Sequence, residues 1–582
     1  MSQTREVLLI GEGNFSFSVA LCQSAADPVN VTATCFQTED EALKQDCAAQ
    51  NIERLRYCGS RVLFQVDCTR LRENEDLKHQ LYDCIIFNFP HCGRKSGVKK
   101  NRSLLAKFFL NCAEILKENG EVHVALCNGQ GGTPVDNPIR EWHNSWQVVA
   151  MAAEAGLILS EVRPFDQDKY QGYKCTGYRS QDHGFHVEGA LNHIFTRSLP
   201  YALPQRLKME AKVGKETIVF ELPEELGEFV NRNFLGPHSH HPVQLVQDQL
   251  LRELKSAWPV NKVSGDFPEL VSCSPDKLHV FGPNVTTTEI YWIKPTETLN
   301  HSQSEDGGDN CEPIEDQHAP SGSYGLRPSL LMHVQDILQH EDFSPGTLHA
   351  LSGLVFQKTP ISASLSPVYH QLLLVGVFRS ETQPLRCLHD CLEALLSAHG
   401  VSFQLEQGGE QQQAWMNSKT LAKFGRLASL PVPGCVPEEA LQLCVVSMNL
   451  DHLAALIFSI SDWRLLWTPD PRLLLHFELN PQGPFRPFSL YSPSYSHDIS
   501  FWMEPDSFDE LEFHTVVRQA TAGTVRDVVL VDRFRHPHMG HASLCYRLTY
   551  QSPDRALSHS QALCLQNKLR RLLPLRLQVT LR

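Results

Sequence analysis

Short apolar runs alternate with stretches of helical spacing through the first two hundred residues. VLLIG, VTATCF, VLFQVD, CIIFNFP and EVHVAL read as strands bounded by polar or turn-forming residues. Before the fifth run, LLAKFFLNCAEILKENG has apolar positions at helical spacing and predicts a helix that stops at Asn119-Gly120. Strands alternating with helices imply a mostly parallel, doubly wound α/β sheet with right-handed crossovers. Ligands of such sheets bind beyond the carboxyl ends of the strands. From Leu441 the run LQLCVVSMNLDHLAALIFSI reads as an apolar core helix, with Asp462-Trp463-Arg464 and Asp470-Pro471-Arg472 in its exit loop. SPSYSHDISFWMEP, VRDVVLVDRFRHP, ASLCYRLTYQSPDRALS, the helix QALCLQNKLRRLL and the strand RLQVTLR then come in β-α-β-β-α-β order, which predicts a ferredoxin-like α+β module.

One stretch breaks these patterns. Residues 296–328 are rich in Ser, Gly, Pro and acid, with no base between His301 and Asp316, so self-repulsion keeps them solvated as a linker. The expected organisation is an α/β domain over 1–198, a globular region of little pattern over 199–295, the acidic linker, a further region over 329–488 and the α+β domain over 489–582. A length of 582 residues fits several domains at roughly 100 to 200 residues each. With 42% hydrophobic and 20% charged residues, ordinary cores form and a disordered chain is excluded. A net charge of -14 argues against coating nucleic acid by bulk charge and leaves only local basic patches to look for. The N-terminal apolar run is too short for a signal peptide, and Asn449, Asp451 and His452 interrupt the most apolar stretch, so no membrane partner is expected. The 18 cysteines form no C-x-x-C pair and read as reduced thiols of a cytoplasmic, nuclear or nucleolar protein. No metal is expected, and His238, His240 and His241 lack the thiol or carboxylate spacing of a ligand set.

Candidate chemistry lies at the strand ends. After VLLI comes Gly11-Glu12-Gly13-Asn14-Phe15-Ser16, where two glycines allow a tight turn and close backbone approach to a ligand; a plain strand-to-helix turn is the alternative. Asp67 places a carboxylate at the ligand edge, or else caps Cys68-Thr69-Arg70. Asn88-Phe89-Pro90-His91 combines an amide, a ring and a proline that can bind a base edge and stack on its face. Just beyond, Arg94, Lys95, Lys99, Lys100, Arg102 and Lys107 have no acid among them, which suits a polyanion such as RNA as well as a solvated loop.

GEGNFSFS, VDCTRL, FNFPHCG, NRSLLAKFF, WQVVAMAAEAGL and YQGY resemble, in order, the Rossmann-like methyltransferases that modify N3 of a uridine in large-subunit rRNA. The resemblance implies S-adenosylmethionine over Gly11, Glu12, Gly13, Asn14, Phe15 and Ser16, with Asp67 on its adenine side. It implies a target-base pocket at Asn88, Phe89, Pro90 and His91, with Asn88 and His91 serving catalysis and His91 helping to remove the N3 proton. Two positions depart: Gln37 stands where the family has an aspartate for the ribose hydroxyls, and Gln171 where it usually has proline.

At the other end, His497–Trp502, Asp532-Arg533-Phe534 and Ser552–Leu557 resemble organellar phenylalanyl-tRNA synthetase: the ferredoxin-fold anticodon-binding domain, preceded by a degenerate class II synthetase-like region. The family's Gly-x-Gly-x-Glu-Arg corner, whose arginine meets the ATP phosphates, is Ser447-Met448-Asn449-Leu450-Asp451-His452 here. A largely neutral imidazole lacks the fixed charge and fork of a guanidinium, so phenylalanyl-tRNA ligation is not expected. Lys568, Arg570 and Arg571 lie in a terminal stretch without acids and remain available for RNA, with ordinary surface charge as the alternative. Together the two resemblances imply an S-adenosylmethionine-dependent RNA methyltransferase, directed at rRNA or tRNA, with an RNA-docking back half. A noncatalytic RNA-binding or assembly factor built from two decayed enzyme modules is the alternative.

Overall fold

A computed structural model describes residues 4–93, 96–176, 187–201, 206–265, 267–272, 285–299, 324–408, 411–433, 440–504, 508–537 and 541–582. By packing, the chain forms two compact units. The first comprises Met1–Tyr201, Pro487–Ser496 and Thr549–Asn567; the second comprises Ala202–Arg486, His497–Leu548 and Lys568–Arg582. Among the described residues no helix is long and apolar enough to cross a membrane.

The first unit is built on β1 (Arg5–Ile10), β2 (Val29–Thr34), β3 (Arg61–Leu63), β4 (Tyr82–Asn88), β5 (Leu116–Leu126), β6 (Leu157–Pro164) and β7 (Leu191–Arg197). These form one sheet in the order β3-β2-β1-β4-β5-β7-β6. The first five strands run parallel and β7 is inserted antiparallel between β5 and β6. Flanking helices are α1 (Ser16–Ser24), α2 (Glu39–Ala42), α3 (Ala48–Tyr57), α4 (Val98–Ile115) and α5 (Val148–Ala153). Successive strand residues point to opposite faces, so each strand feeds two cores. Val7 and Leu9 join Phe15, Val31 and Ile52 on one face, while Leu8 and Ile10 join Ile85, Phe108 and Phe109 on the other. Burial on both faces explains why these strands read as continuous apolar runs.

Two expectations about this sheet are corrected. The third strand stops at Leu63, four residues before Asp67, because Gln65 takes a left-handed φ of 56° and the chain leaves the ladder. Its backbone instead bonds to the segment after β2, through Gln65 N–H to Gln37 O at 3.0 Å and Val66 N–H to Cys35 O at 2.9 Å. The fourth helix ends at Ile115 and not at Asn119-Gly120, which lie inside β5. Leu116 already pairs with Tyr82, and the register then shifts before Cys84 meets Glu121. Pairing to β4 outweighs the local stop signal there.

Residues of the carboxyl-terminal domain complete this unit. Leu490 N–H donates to Leu159 O of β6 at 2.7 Å, Ala556 N–H donates to Ser198 Oγ at 2.8 Å, and Ala556 and Phe488 pack with Ala153 and Ile158.

The second unit contains a seven-stranded sheet. Its order is Val260–Lys262, Leu348–Phe356, Val368–Arg379, Leu441–Asn449, Gly425–Leu430, Gln411–Asn417 and Ser402–Gly408, antiparallel except for the first pair. The run from Leu441, expected to be a helix, is therefore a strand to Asn449 followed by a short helix, Leu450–Ile457. A central strand covered on both faces shows no alternation and mimics a buried helix in the sequence. Asn449 ends it by capping the helix, its side chain accepting from His452 N–H at 2.8 Å. The acidic segment 300–323 lies outside the described residues. Tyr324–Leu326 pairs with Leu270–Ser272 and with Trp292–Ile293, and Pro295–Leu299 is itself a strand. Chain before and after the acidic stretch thus shares one small sheet, so the stretch interrupts a unit and does not separate two halves.

The carboxyl-terminal domain follows the expected order: strand Tyr495–Met503, helix Glu510–Thr521, strands Val525–Arg535 and Ala542–Tyr550, helix His559–Leu577 and strand Thr580–Leu581. Across its sheet the strands lie second, third, first, fourth, so Val525–Arg535 forms one edge and Thr580–Leu581 the other.

Candidate functional site

β1 and β4 are neighbours, and the strand order runs outward from them in both directions, which opens a crevice at their carboxyl ends. A cavity of about 560 Å³ fills this place, with Gly11, Glu12, Gly13, Gln37, Asp67 and Asn88 on its wall. The turn after β1 is shaped to leave room. Gly11 has φ 68°, and a Cβ on Gly13 would stand 2.0 Å from Thr176 Oγ1. Asn14 lines the cavity, yet its Oδ1 accepts from Ser16 N–H at 3.1 Å and starts α1. Phe15, expected on the cofactor, is not on the wall: it takes φ 60° and is wholly buried in the core beneath. Alternation around a tight turn sends its ring inward.

Glu12 is the most perturbed acid of the turn. Its N–H donates to Thr34 O at 2.9 Å, and its Oε2 accepts from Ser18 N–H at 3.2 Å and Ser18 Oγ–H at 2.8 Å. Burial pushes its carboxyl from 4.5 up to about 7, against the opposing pull of the Ser18 hydrogen bonds. The cavity wall thus carries a carboxyl poised between its charged and neutral forms at neutral pH.

Asp67 divides its roles. Oδ1 accepts from Thr69 N–H and Thr69 Oγ–H, both at 2.8 Å, which is the local cap, while the residue also lines the cavity. Gln37 reaches the same wall from the end of β2, and Asn88 from the end of β4 with no side-chain partner among the described residues. Phe89 turns at φ 52°, its N–H donating to Ala125 O at 2.9 Å, and lines the cavity together with His91. The His91 Nδ1 accepts from Gly93 N–H at 3.3 Å, both ring nitrogens lie 3.3 Å from Ser96 Oγ, and the ring packs edge-on to Trp146. Pro90 is buried and off the wall.

The basic cluster is scattered. Arg94 and Lys95 lie outside the described residues. Lys99 and Lys100 are exposed on the first turn of α4, away from the cavity wall. Arg102, expected to contact RNA, is committed internally: its guanidinium donates to Ser145 O at 2.6 Å and His143 O at 2.8 Å, holding the end of the Trp142–Asn144 turn. On the last long helix Lys568 and Arg571 are exposed and Arg570 is half-buried, and none of the three has an ion pair among the described residues.

Sequence patterning missed the strap that roofs the turn. Tyr173, Lys174, Cys175 and Thr176 line the cavity from a segment remote in sequence. Ser16 clasps both backbone groups of one residue: Ser16 Oγ accepts from Lys174 N–H at 3.0 Å and donates to Lys174 O at 3.2 Å. Phe17 anchors it from below, with ring centroids 4.6 Å from Tyr170 and 5.4 Å from Tyr173. The only sequence signal was the pair of tyrosines in YQGY.

In the second unit the corner at 447–452 is sealed. His452 is buried, with Nε2 2.9 Å from Ser418 Oγ, and burial lowers its imidazole to about 4, so it is neutral near pH 7. Its neighbour Asp451 accepts from His370 Nδ1–H and from Trp467 Nε1–H, each at 2.9 Å. Of the loop histidines, His241 caps the helix Pro242–Ala257 and stacks on Phe234 at 3.7 Å, a structural role.

Residues 8–177 match the BMT5-like family, rRNA (uridine-N3-)-methyltransferase BTM5-like, and residues 491–582 match the ferredoxin-fold anticodon binding domain. Fold and family matches thus define a BMT5-like, Rossmann-like domain joined in one chain to a ferredoxin-fold anticodon-binding domain. The chain belongs to the ferredoxin-fold anticodon-binding domain-containing protein 1 family. It is 42% identical to the Homo sapiens protein of that name, over 97% of this chain and 98% of that one, and 40% identical to the Mus musculus homolog, over 99% of each. A phenylalanine–tRNA ligase, chloroplastic/mitochondrial, of Arabidopsis thaliana is 30% identical over 40% of this chain and 58% of its own. That share exceeds residues 491–582, so the likeness to ligases extends beyond the ferredoxin-fold domain.

Proposed function

We propose that the chain is an S-adenosylmethionine-dependent RNA methyltransferase acting on uridine N3, with the ferredoxin-fold module docking RNA. One observation carries the reading: Gly11, Gly13, Gln37, Asp67 and Asn88, from the carboxyl ends of four different strands and the segments after them, meet on a single cavity at the switch point of the sheet. Its volume suits a nucleoside-sized ligand. In this reading the glycine turn admits the methyl donor, Gln37 bonds its ribose, and the Asp67 oxygen that Thr69 does not engage takes its adenine edge. The donor, when bound, supplies a methyl group on a cationic sulfur. Asn88 orients the target base by its amide, Phe89 stacks on it, and His91 accepts the N3 proton. Positioning supplies most of such a rate, with the proton acceptor completing it.

A noncatalytic assembly factor is the second reading, favoured by Gln37 in place of a carboxylate and by the Thr69 hydrogen bonds that occupy half of Asp67. Titration calorimetry with S-adenosylmethionine separates the two. Binding by the intact chain that weakens about tenfold or more in Asp67→Ala supports the enzyme; no binding to folded protein supports the assembly factor. Mapping N3-methyluridine in RNA from cells lacking the protein then tests the reaction, and an unchanged profile refutes it. The sealed imidazole at 452 supports excluding phenylalanyl-tRNA ligation.

A further inference from the structure

The two edges of the ferredoxin-fold sheet differ sharply. Thr580–Leu581 is two residues long, whereas Val525–Arg535 is eleven residues with its outer hydrogen-bonding groups facing away from the sheet. Short edges are the usual protection against strand addition. The long edge has no such protection and is apolar at its middle: Val529, Leu530 and Val531 are 49%, 45% and 48% exposed. Asp527 and Arg533 flank this patch, both exposed and neither in an ion pair with any described residue.

The sequence of this edge indicates what covers it. Arg526-Asp527-Val528-Val529-Leu530-Val531-Asp532-Arg533 is a near palindrome in charge and hydropathy. In an antiparallel pair, facing residues both aim their N–H and C=O groups across the seam or both away, and along one strand these alternate. A strand meeting its own copy about a two-fold axis therefore matches odd numbers with odd and even with even. The mirror register of the palindrome, Arg on Arg and Asp on Asp, matches odd with even and is excluded. A shift by one residue that puts Leu530 on the axis sets Asp527 opposite Arg533 at both ends and Val529 opposite Val531. The opposite shift, about Val529, sets Arg526 opposite Asp532 instead and leaves Asp527 against Val531; it draws on an arginine already engaged within its own chain.

From this complementarity we infer that Val525–Arg535 is a homodimer interface, joining two copies edge to edge into one eight-stranded sheet with Leu530 on the two-fold axis. Such a contact is isologous, so each opposite-charge pair occurs twice.

Sedimentation of the nucleic-acid-free, full-length chain up to about 100 µM tests it, a range suited to an interface below about 1,200 Å². The mass should climb from 65.7 kDa towards twice that value. Asp527→Arg alone and Arg533→Asp alone each place like charges opposite one another twice and should raise the dissociation constant about tenfold or more. The double exchange should recover dimerisation, which also shows that the variants fold. A chain monomeric throughout, a dimer indifferent to the single exchanges, or a double exchange no better than the singles would each overturn the proposal.

Discussion

Replacing Glu12 by glutamine should stabilise the front unit at alkaline pH and leave it nearly unchanged in acid. In the unfolded chain the carboxyl loses its proton near 4.5, and in the folded chain it keeps it to about 7. Between those values the folded state binds more protons, so folding stability falls as pH rises through the window. Carrying the carboxyl that far corresponds to about 3 kcal/mol, and partial exposure of Glu12 trims this to about 2–3 kcal/mol. The substituted amide still accepts from Ser18 and carries no charge to desolvate. Hydrogen exchange of peptides from β1 and α1, corrected for intrinsic rate, should show equal protection at about pH 4.5 and the full gain above about pH 7, the limits set by Glu12's two titration points. Loss of protection at pH 8, or a gain independent of pH, would refute burial as the cause. The same charge bears on the proposed donor. A cationic methyl donor would compensate the carboxylate, so native protein should hold it more tightly than the Glu12→Gln variant at pH 8 and lose that advantage as the pH falls below 7.

Gly13→Ala should lower S-adenosylmethionine affinity about tenfold or more in calorimetry, because its Cβ would stand 2.0 Å from Thr176 Oγ1 and must displace the strap. Changing Lys568, Arg570 and Arg571 together to alanine should weaken RNA binding uniformly across sequences and lower the salt slope by about three in filter binding, if all three meet phosphates. In the second unit burial holds His241 at about 3 and His452 and His514 at about 4. Each takes up a proton on unfolding between 6.5 and its folded value, so near-ultraviolet circular dichroism should show that unit weakening as pH falls below 6.5. His452→Gln should flatten part of that acid slope.

Much of the front site was legible because its residues sit at ends of apolar runs, and a parallel sheet gathers strand ends on one edge whatever their separation in sequence. Asp67 was found for a partly mistaken reason: it reaches the cavity from an irregular loop, not from a strand. Phe15 and Arg102 were misread because residue type does not report direction; one faces a core and the other a set of carbonyls. Thr176 and the Ser16 clasp join segments about 160 residues apart, and no local pattern encodes that meeting. The strand at Leu441–Asn449 was hidden by complete burial, which erases the alternation that marks a strand.

The dependence of β6 on Leu490 and Ala556 has a consequence for how the chain is made. An amino-terminal body that takes backbone partners from the last hundred residues gains those contacts only after the middle of the message has been translated. Expression of residues 1–198 alone uncovers Ala153 and Ile158, which Ala556 and Phe488 otherwise shield, so activity is best assayed on the whole chain.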